Sequence, residues 1–155
     1  MPGPVGSTPA GGLTAASRIN TSMEAWWIGA ETSVRGAFWY DDSKGWRAYH
    51  DPVALPTAAA PTSGMASLSR IDTSMEIWWV GLNGSVQGAF WYKGQHHDAW
   101  QRYELAPLGQ ASPTSGIAAV SRIDTAMEIW WVGPQGSVEG GYYYATDTKP
   151  WQTYT

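Results

Sequence analysis

Side chains that could bind a small molecule recur at regular intervals along this chain. Each of three segments carries an arginine, then a glutamate, then an aromatic pair, and then a further tryptophan. The recurring residues are Arg18, Arg70 and Arg122; Glu24, Glu76 and Glu128; Trp39, Trp91 and Tyr143; Tyr40, Tyr92 and Tyr144; and Trp46, Trp100 and Trp151. Arginine and glutamate together can donate to and accept from neighbouring hydroxyl groups, and an indole offers a flat face with one N–H donor. Several weak, equivalent binding sites would leave this pattern in a sequence.

Groups for catalysis or for metal binding do not recur in the same way. His50, His96 and His97 lie in segments that differ between the units, and no carboxylate or second histidine repeats at metal-ligand spacing. The serines have no recurring histidine partner, and no glycine-rich loop precedes a helix. A glycoside hydrolase would need paired carboxylates in one cleft, whereas each unit repeats only one. The sequence therefore predicts a protein that is not an enzyme and that uses no cofactor and no metal.

The overall composition narrows the possible partners. The chain has 155 residues, a formal net charge of -4 and no cysteine, which argues against a nucleic-acid partner and against a disulfide framework. No apolar run approaches the roughly 18 residues of a membrane-spanning helix, and the N-terminus has no signal-peptide pattern. We expect no nucleic acid and no membrane insertion. The compartment stays open, between the cytoplasm and release by a non-classical route.

A tandem repeat of 52 residues organises the chain. One motif occurs three times, as SRINTSMEAWWIG (17–29), SRIDTSMEIWWVG (69–81) and SRIDTAMEIWWVG (121–133). A second motif follows each copy, as SVRGAFWY (33–40), SVQGAFWY (85–92) and SVEGGYYY (137–144). Only the loop after the second motif changes length. The predicted segments are a linker-like N-terminus at 1–9 and three units at 10–61, 62–113 and 114–155.

Each unit is predicted to form four short β-strands. In the second unit the candidate strands are 64–70, 75–80, 85–92 and 100–105, with a tight hairpin turn between the second and third. In the second strand Trp79 lies on one face and Trp78 on the other, so large apolar groups cover both faces. Such a strand is expected where a sheet packs between two other sheets. The tryptophans predicted to form this packing are Trp26, Trp27, Trp78, Trp79, Trp130 and Trp131.

Four strands in about 50 residues, covered on both faces, are typical of a β-propeller blade. The motif M-E-[AI]-W-W-[IV]-G, followed by S-V, by F-W-Y and by W-x-x-Y, resembles the blade repeat of bacterial propeller lectins of the Photorhabdus lectin type. More distantly it is similar to the repeats of tectonins and fungal fucose lectins. The resemblance implies an all-β propeller with three four-stranded antiparallel blades per chain, which binds glycans or monosaccharides.

Three blades are too few to close a propeller ring, because at least four are needed. Both end blades would then expose tryptophan-rich faces, which soluble monomers avoid. We expect further copies of the chain to complete the ring. Two copies would give six blades, which is the favoured size, and three would give nine. Two alternatives stay open: a fragment of a longer propeller, and a β-trefoil, which closes as a monomer.

The resemblance also implies where sugars would bind. Propeller lectins of this type place sugar platforms between blades, at strand ends beside variable loops, which favours the recurring aromatic residues. The arginines and glutamates either clamp the sugar or form a structural cross-strand ion pair. Glycine at 36, 88 and 140 indicates a bulge or a close ligand approach. Fungal fucose lectins carry an arginine and a glutamate at positions where this chain has Glu24, Glu76 and Glu128 and Gly36, Gly88 and Gly140. The resemblance therefore does not carry fucose specificity over to this chain.

The predicted function is multivalent glycan recognition, through aromatic stacking and polar clamping in pockets between blades. The alternative is a structural or protein-binding propeller that binds no sugar and whose aromatic residues all belong to the core.

Overall fold

In the computed structural model of the chain, the regular secondary structure is almost entirely β-strand. The structure describes residues 9–42, 45–49, 58–149 and 151–154. The strands in chain order are β1 (Pro9–Ala16), β2 (Ser22–Gly29), β3 (Val34–Tyr40), β4 (Arg47–Ala48), β5 (Met65–Leu68), β6 (Ser74–Val80), β7 (Val86–Tyr92), β8 (Gln101–Ala106), β9 (Ile117–Ile123), β10 (Ala126–Val132), β11 (Val138–Tyr144) and β12 (Trp151–Tyr154). One turn of 3-10 helix, His96–Asp98, lies between β7 and β8. The described residues contain no helix that could span a membrane.

The strands pair within each repeat and form separate four-stranded antiparallel sheets. β1 to β4 form blade 1, β5 to β8 form blade 2, and β9 to β12 form blade 3, each with its strands in sequential order. The prediction of three four-stranded antiparallel units is confirmed. The β-trefoil alternative is wrong, since each repeat completes a sheet of its own. Of the linker-like segment predicted at 1–9, residues 1–8 lie outside the described residues and Pro9 begins β1.

The hairpin turn between β6 and β7 shows how the sequence sets the register of a blade. Gly84 takes a φ of +76°, which a side chain disfavours, and its N–H donates to the carbonyl of Gly81 at 2.9 Å. Asn83 accepts hydrogen bonds from the backbone N–H of Ser85 at 3.0 Å and from its hydroxyl at 2.7 Å. The ladder then begins with Val80 opposite Val86 and places Trp78 opposite Gly88. The same register places Trp26 opposite Gly36 and Trp130 opposite Gly140.

The blades pack face to face, and the tryptophan pairs fill the space between them. One core cluster joins Trp26 of blade 1 to Trp79 of blade 2, and the second joins Trp78 of blade 2 to Trp131 of blade 3. The first tryptophan of each pair therefore faces the following blade and the second faces the preceding blade. Packing between blades was predicted for six tryptophans and is confirmed for these four. Of the other two, Trp27 is buried in blade 1 and Trp130 is partly buried in blade 3, and neither belongs to a cluster of described residues between blades. On the inner edge β1 lies beside β5 and β5 beside β9, where the Thr14 and Ser67 hydroxyls are 2.8 Å apart.

Candidate functional site

A cavity of about 620 Å³ opens between blades 2 and 3. We call it the second cleft. The residues that line it are Glu76, Phe90, Tyr92, Tyr103, Tyr143, Thr148, Lys149 and Trp151. The first four belong to blade 2 and the last four to blade 3, so neither blade forms the cleft alone.

A chain of hydrogen bonds holds the carboxyl group of Glu76 at the wall of the second cleft. The indole N–H of Trp78 donates to the Tyr103 hydroxyl at 2.7 Å, and that hydroxyl donates to Glu76 Oε2 at 2.9 Å. Burial raises the pKa of Glu76 from 4.5 to about 8, against the opposing effects of the Tyr103 hydrogen bond and the Arg70 charge. The carboxyl group is therefore mostly protonated at neutral pH. In that form it can donate a hydrogen bond as well as accept one.

Gly88 makes this hydrogen-bond chain possible. A Cβ atom at Gly88 would lie 2.5 Å from the Tyr103 ring, and one at Gly36 would lie 2.6 Å from the Trp26 ring. The repeated glycine therefore makes room for the tryptophan and tyrosine of its own blade. The pairing of β7 with β8 is irregular between Val86 and Gln87, directly before Gly88, and a close ligand approach at this glycine stays a prediction.

Arg70 crosses from blade 2 to blade 3. Its guanidinium donates to the Tyr92 hydroxyl at 2.8 Å and to the backbone carbonyl of Asp124. It lies 5.6 Å from the ring centroid of Tyr92 and 5.4 Å from that of Tyr143, within the range of a cation–π contact. Burial raises the pKa of Tyr92 to about 12, so its hydroxyl keeps its proton. The Arg70 guanidinium is thus held between Tyr92 and Tyr143, two aromatic residues that line the second cleft.

The predicted cross-strand ion pair between these arginines and glutamates is not formed. Arg70 acts on Glu76 through its charge, but the ion pair found among the described residues joins Arg35 to Glu31 at 2.6 Å on the surface of blade 1. The arginine of the repeat is committed to the next blade instead, through Asp124 and Tyr143. It therefore contributes to the contact between blades as well as to the cleft.

The aromatic side of the second cleft comes from blade 3. The Trp151 ring stacks on Tyr103 at 6.0 Å between centroids, meets Trp78 edge-on at 6.0 Å, and lies 5.5 Å from Tyr143. Trp151 and Tyr143 both stay half-exposed. Their rings therefore support the core on one side and offer an apolar surface to the cleft on the other.

The first cleft, between blades 1 and 2, is built from the equivalent residues. The Arg18 guanidinium lies 5.3 Å from the ring centroid of Trp91 and donates to the Tyr40 hydroxyl at 3.3 Å. Trp100 meets Trp26 edge-on at 5.9 Å, in the place that Trp151 has beside Trp78. Burial raises the pKa of Glu24, and its Oε1 atom is buried without a partner among the described residues.

The residues of one repeat thus divide between two clefts. The arginine, glutamate and tyrosine of a blade face the following blade. Two other aromatic residues of the same blade, such as Trp91 and Trp100 in blade 2, face the preceding blade. The structure brings together two groups of the predicted site residues. One group is Arg18, Glu24, Tyr40, Trp91 and Trp100 at the first cleft, and the other is Arg70, Glu76, Tyr92, Tyr143 and Trp151 at the second cleft. The remaining candidates lie on the outer faces of the chain: Arg122, Glu128 and Tyr144 in blade 3, and Trp39 and Trp46 in blade 1.

The variable loops make the two clefts different. At the first cleft the Asp98 carbonyl accepts a hydrogen bond from the Trp91 indole at 2.9 Å. His96, His97 and Asp98 all take positive φ angles of 50° to 56°, and the His96 ring packs against Phe90 at 6.1 Å between centroids. Thr148 and Lys149 occupy this position at the second cleft. His96 and His97 are exposed, and the described residues contain no cluster of three metal-binding side chains.

Sequence reasoning missed the tyrosine in the middle of the buried hydrogen-bond chain, between Trp78 and Glu76. Each unit carries a tyrosine three residues after the tryptophan that follows its variable loop: Tyr49, Tyr103 and Tyr154. These tyrosines are not among the site residues that the sequence predicts. The repeated glycine opposite a repeated tryptophan could have indicated this tyrosine, because a residue without a side chain inside a strand leaves room for an aromatic ring.

Comparison with known proteins supports the fold. No family model and no curated protein matches the chain. Among solved structures it is similar to the BP39L lectin from Burkholderia pseudomallei, with a TM-score of 0.77 and 15% identity over 92% of this chain and 39% of that one. It is also similar to the SapL1 lectin in complex with α-methyl fucoside (TM-score 0.70, 19% identity, 92% of this chain and 45% of that one).

A third similar structure is the Aleuria aurantia lectin, described as a six-bladed β-propeller with a novel mode of fucose recognition. It matches with a TM-score of 0.71 and 16% identity over 96% of this chain and 46% of that one. The chain therefore spans less than half the length of these lectins. The predicted β-propeller fold is confirmed.

Proposed function

We propose that this protein is a carbohydrate-binding propeller, a lectin, with one sugar site in each cleft between adjacent blades. The observation that carries the proposal is the second cleft. There a buried carboxyl group, a tyrosine hydroxyl and an arginine face two half-exposed aromatic rings from the next blade. Such a site offers both a flat apolar surface and converging polar groups, which a monosaccharide requires.

The side chains of the second cleft divide the work of binding. Tyr143 and Trp151 would contact the C–H face of a sugar ring, while Glu76 and Tyr92 would exchange hydrogen bonds with its hydroxyl groups. The protonated carboxyl group is suited to this, because a neutral group is less costly to remove from water than a charged one. Arg70 holds Tyr92 and Tyr143 in place and adds N–H donors to the cleft edge.

Binding without cleavage fits the groups that are present. The residues lining the second cleft include one carboxyl group, Glu76. Hydrolysis of a glycosidic bond uses two carboxyl groups on opposite sides of the bond. A bound sugar would therefore leave the cleft unchanged.

The similar lectin structures point to the sugar to test first. The SapL1 structure holds α-methyl fucoside, and the Aleuria aurantia lectin is described by its fucose recognition. This chain lacks arginine and glutamate at the positions expected for fucose lectins, yet each cleft receives both residue types from other positions, as Arg70 and Glu76 show. Methyl α-L-fucoside is therefore the first probe to use. We also propose that the chain is of the Photorhabdus lectin type, on the motif M-E-[AI]-W-W-[IV]-G that its three units repeat.

We further propose that two copies of the chain complete a ring of six blades. The chain covers 46% of the length of a six-bladed lectin, and its three blades would supply half of such a ring. Several weak sites on one ring gain avidity when a glycan-coated surface engages them together.

Titration of intrinsic tryptophan fluorescence with a panel of methyl glycosides, led by methyl α-L-fucoside, tests the proposal. At least one sugar should change the emission of the wild type. Tyr143→Ala should lose the second cleft and keep the first, whereas Leu108→Ala, at an exposed loop residue outside the clefts, should bind as the wild type does. A folded wild type that responds to no sugar of the panel would instead support the structural or protein-binding propeller.

A further inference from the structure

We infer that two copies of the chain jointly form a third binding cleft, built like the two clefts within the chain. Blade 3 of one copy contributes Arg122, Glu128 and Tyr144, and blade 1 of the second copy contributes Trp39 and Trp46. We call it the shared cleft. The inference rests on the proposed function and adds a site that a single chain does not contain.

The two internal clefts set the rule for assembling the third. In each of them an arginine reaches across to a ring in the next blade: Arg18 to Trp91 at 5.3 Å, and Arg70 to Tyr143 at 5.4 Å. Arg122 is the equivalent arginine of blade 3. The residue of blade 1 equivalent to Trp91 and Tyr143 is Trp39, so Arg122 and Trp39 are the two halves of one contact.

The outer face of blade 3 exposes apolar side chains whose equivalents in blade 2 are buried. Val86 of blade 2 is fully buried against blade 3, whereas the equivalent Val138 of blade 3 is 71% exposed. Trp78 is fully buried, but its equivalent Trp130 is only partly buried and lines a hollow of about 290 Å³. These side chains have the apolar character of an interface between blades and lack the second blade that their equivalents have.

The outer face of blade 1 shows the matching deficit. Met65 of blade 2 is packed against blade 1 and is 6% exposed, whereas the equivalent Leu13 is 77% exposed. Met75 is buried in the same cluster, whereas the equivalent Met23 is 40% exposed. Blade 1 therefore leaves Leu13 and Met23 uncovered where blade 2 packs Met65 and Met75 against its preceding neighbour. Trp27, the equivalent of Trp79, is only 5% exposed, so the uncovered part of this outer face is aliphatic and contains no exposed tryptophan of the pair.

A second copy of this chain is the occupant that fits these faces. In each interface within the chain, one blade contributes the face that points toward the following blade, and the next blade contributes the face that points back toward it. The outer face of blade 3 is of the first kind, and the outer face of blade 1 is of the second kind. The backbone fits as well. A Cβ atom at Gly64 would lie 3.2 Å from Gly116 of the next blade, whereas one at Gly116 would meet nothing within 4 Å. The space beside Gly116 is the place for blade 1 of a partner.

Counting sugar sites tests the shared cleft directly. Isothermal titration with methyl α-L-fucoside should give three sites per chain for the wild type. Trp39→Ala and Arg122→Ala should each give two. The double variant should also give two, because both residues belong to one cleft. Two sites in the wild type, or one in the double variant, would overturn the inference.

A cross-link tests the same interface without any sugar. The Thr14 and Ser67 hydroxyls are 2.8 Å apart between blades 1 and 2, and the pair equivalent to them in the shared interface is Ala118 of one copy with Ala15 of the other. The chain has no cysteine, so A15C/A118C introduces one defined pair. Oxidation should link two chains covalently, whereas the matched control T14C/S67C should form its disulfide within one chain.

The two experiments separate the inference from the proposed function. Linked chains that bind no sugar would leave the shared interface standing and count against the lectin proposal. Conversely, a mass of one chain, 16.8 kDa, in solution, together with an A15C/A118C variant that stays unlinked while the control oxidises, would overturn the shared cleft. Sugar binding at the two internal clefts would survive that result.

Discussion

Replacing Glu76 with glutamine should remove a pH dependence of stability that the buried carboxyl group imposes. The pKa of this group is about 8 in the folded protein, against 4.5 as its ordinary value. Between these values the folded state holds a proton that the unfolded state has released. Stability from this group is therefore complete below about pH 4.5 and is lost as the pH rises to about 8. The pKa difference corresponds to a loss on the order of 5 kcal/mol.

Urea unfolding followed by tryptophan fluorescence measures the effect, at pH 5, 7 and 9 and at one fixed protein concentration. Glutamine keeps the size of the side chain and an oxygen to accept the Tyr103 hydrogen bond, but it does not titrate. The free energy of unfolding of the wild type should fall by several kcal/mol relative to Glu76→Gln between pH 5 and pH 9. The raised pKa of Glu24 is common to both proteins and cancels in the comparison.

Glu31→Gln is the matched control. Hydrogen bonds from Ser33 and Arg35 lower the pKa of this exposed carboxyl group to about 2, so it is ionised in both states throughout this pH range. The control and the wild type should therefore keep a constant difference in stability from pH 5 to pH 9. If Glu76→Gln also ran parallel to the wild type, Glu76 would be ionised in the folded protein and its raised pKa would be refuted.

Three further substitutions test the packing that positions the clefts, all by urea unfolding. Tyr103→Phe should lower the free energy of unfolding by about 2 kcal/mol, because Glu76 and a tryptophan N–H lose their buried partner. Tyr142→Phe, whose hydroxyl bond is exposed, should change it by less than about 0.5 kcal/mol, and equal effects would contradict the assignment. Gly88→Ala should cost about 2 kcal/mol, since its Cβ would overlap the Tyr103 ring, and an unchanged stability would show that the ring lies elsewhere. Arg70→Ala should cost about 1 to 3 kcal/mol by removing contacts between blades 2 and 3, and a neutral result would mean that the arginine is solvated.

Much of the fold follows from periodicity in the sequence. The repeat fixes three equivalent units, and the Trp pair on opposite faces of one strand predicts a sheet covered on both sides. Gly81 and Gly84 predict the turn that the structure shows between β6 and β7. These signals are either local or periodic, so they can be recognised in a single sequence without any knowledge of tertiary contacts.

The composition of each cleft was harder to predict, because it depends on which face of the sheet each side chain takes. Arg70 and Trp91 belong to the same unit in sequence but contact opposite neighbouring blades. The six-residue spacing of Arg70 and Glu76 resembles a cross-strand pair. The contact with Tyr143 lies about 70 residues further along the chain, and no local pattern announces it.

Because each cleft takes one half from each of two adjacent blades, the number of sites equals the number of contacts between blades, not the number of repeats. An isolated chain of three blades has two such contacts, with Arg18 and Arg70 at their centres. A closed ring has as many contacts as blades, so each chain gains one site when the ring closes. In the proposed ring, closure and multivalency are one property, because the association of apolar faces that we infer would also bring Arg122 and Trp39 together. A variant that opens the ring should lose one site per chain, and the glycan-binding strength that remains should be that of a two-site protein.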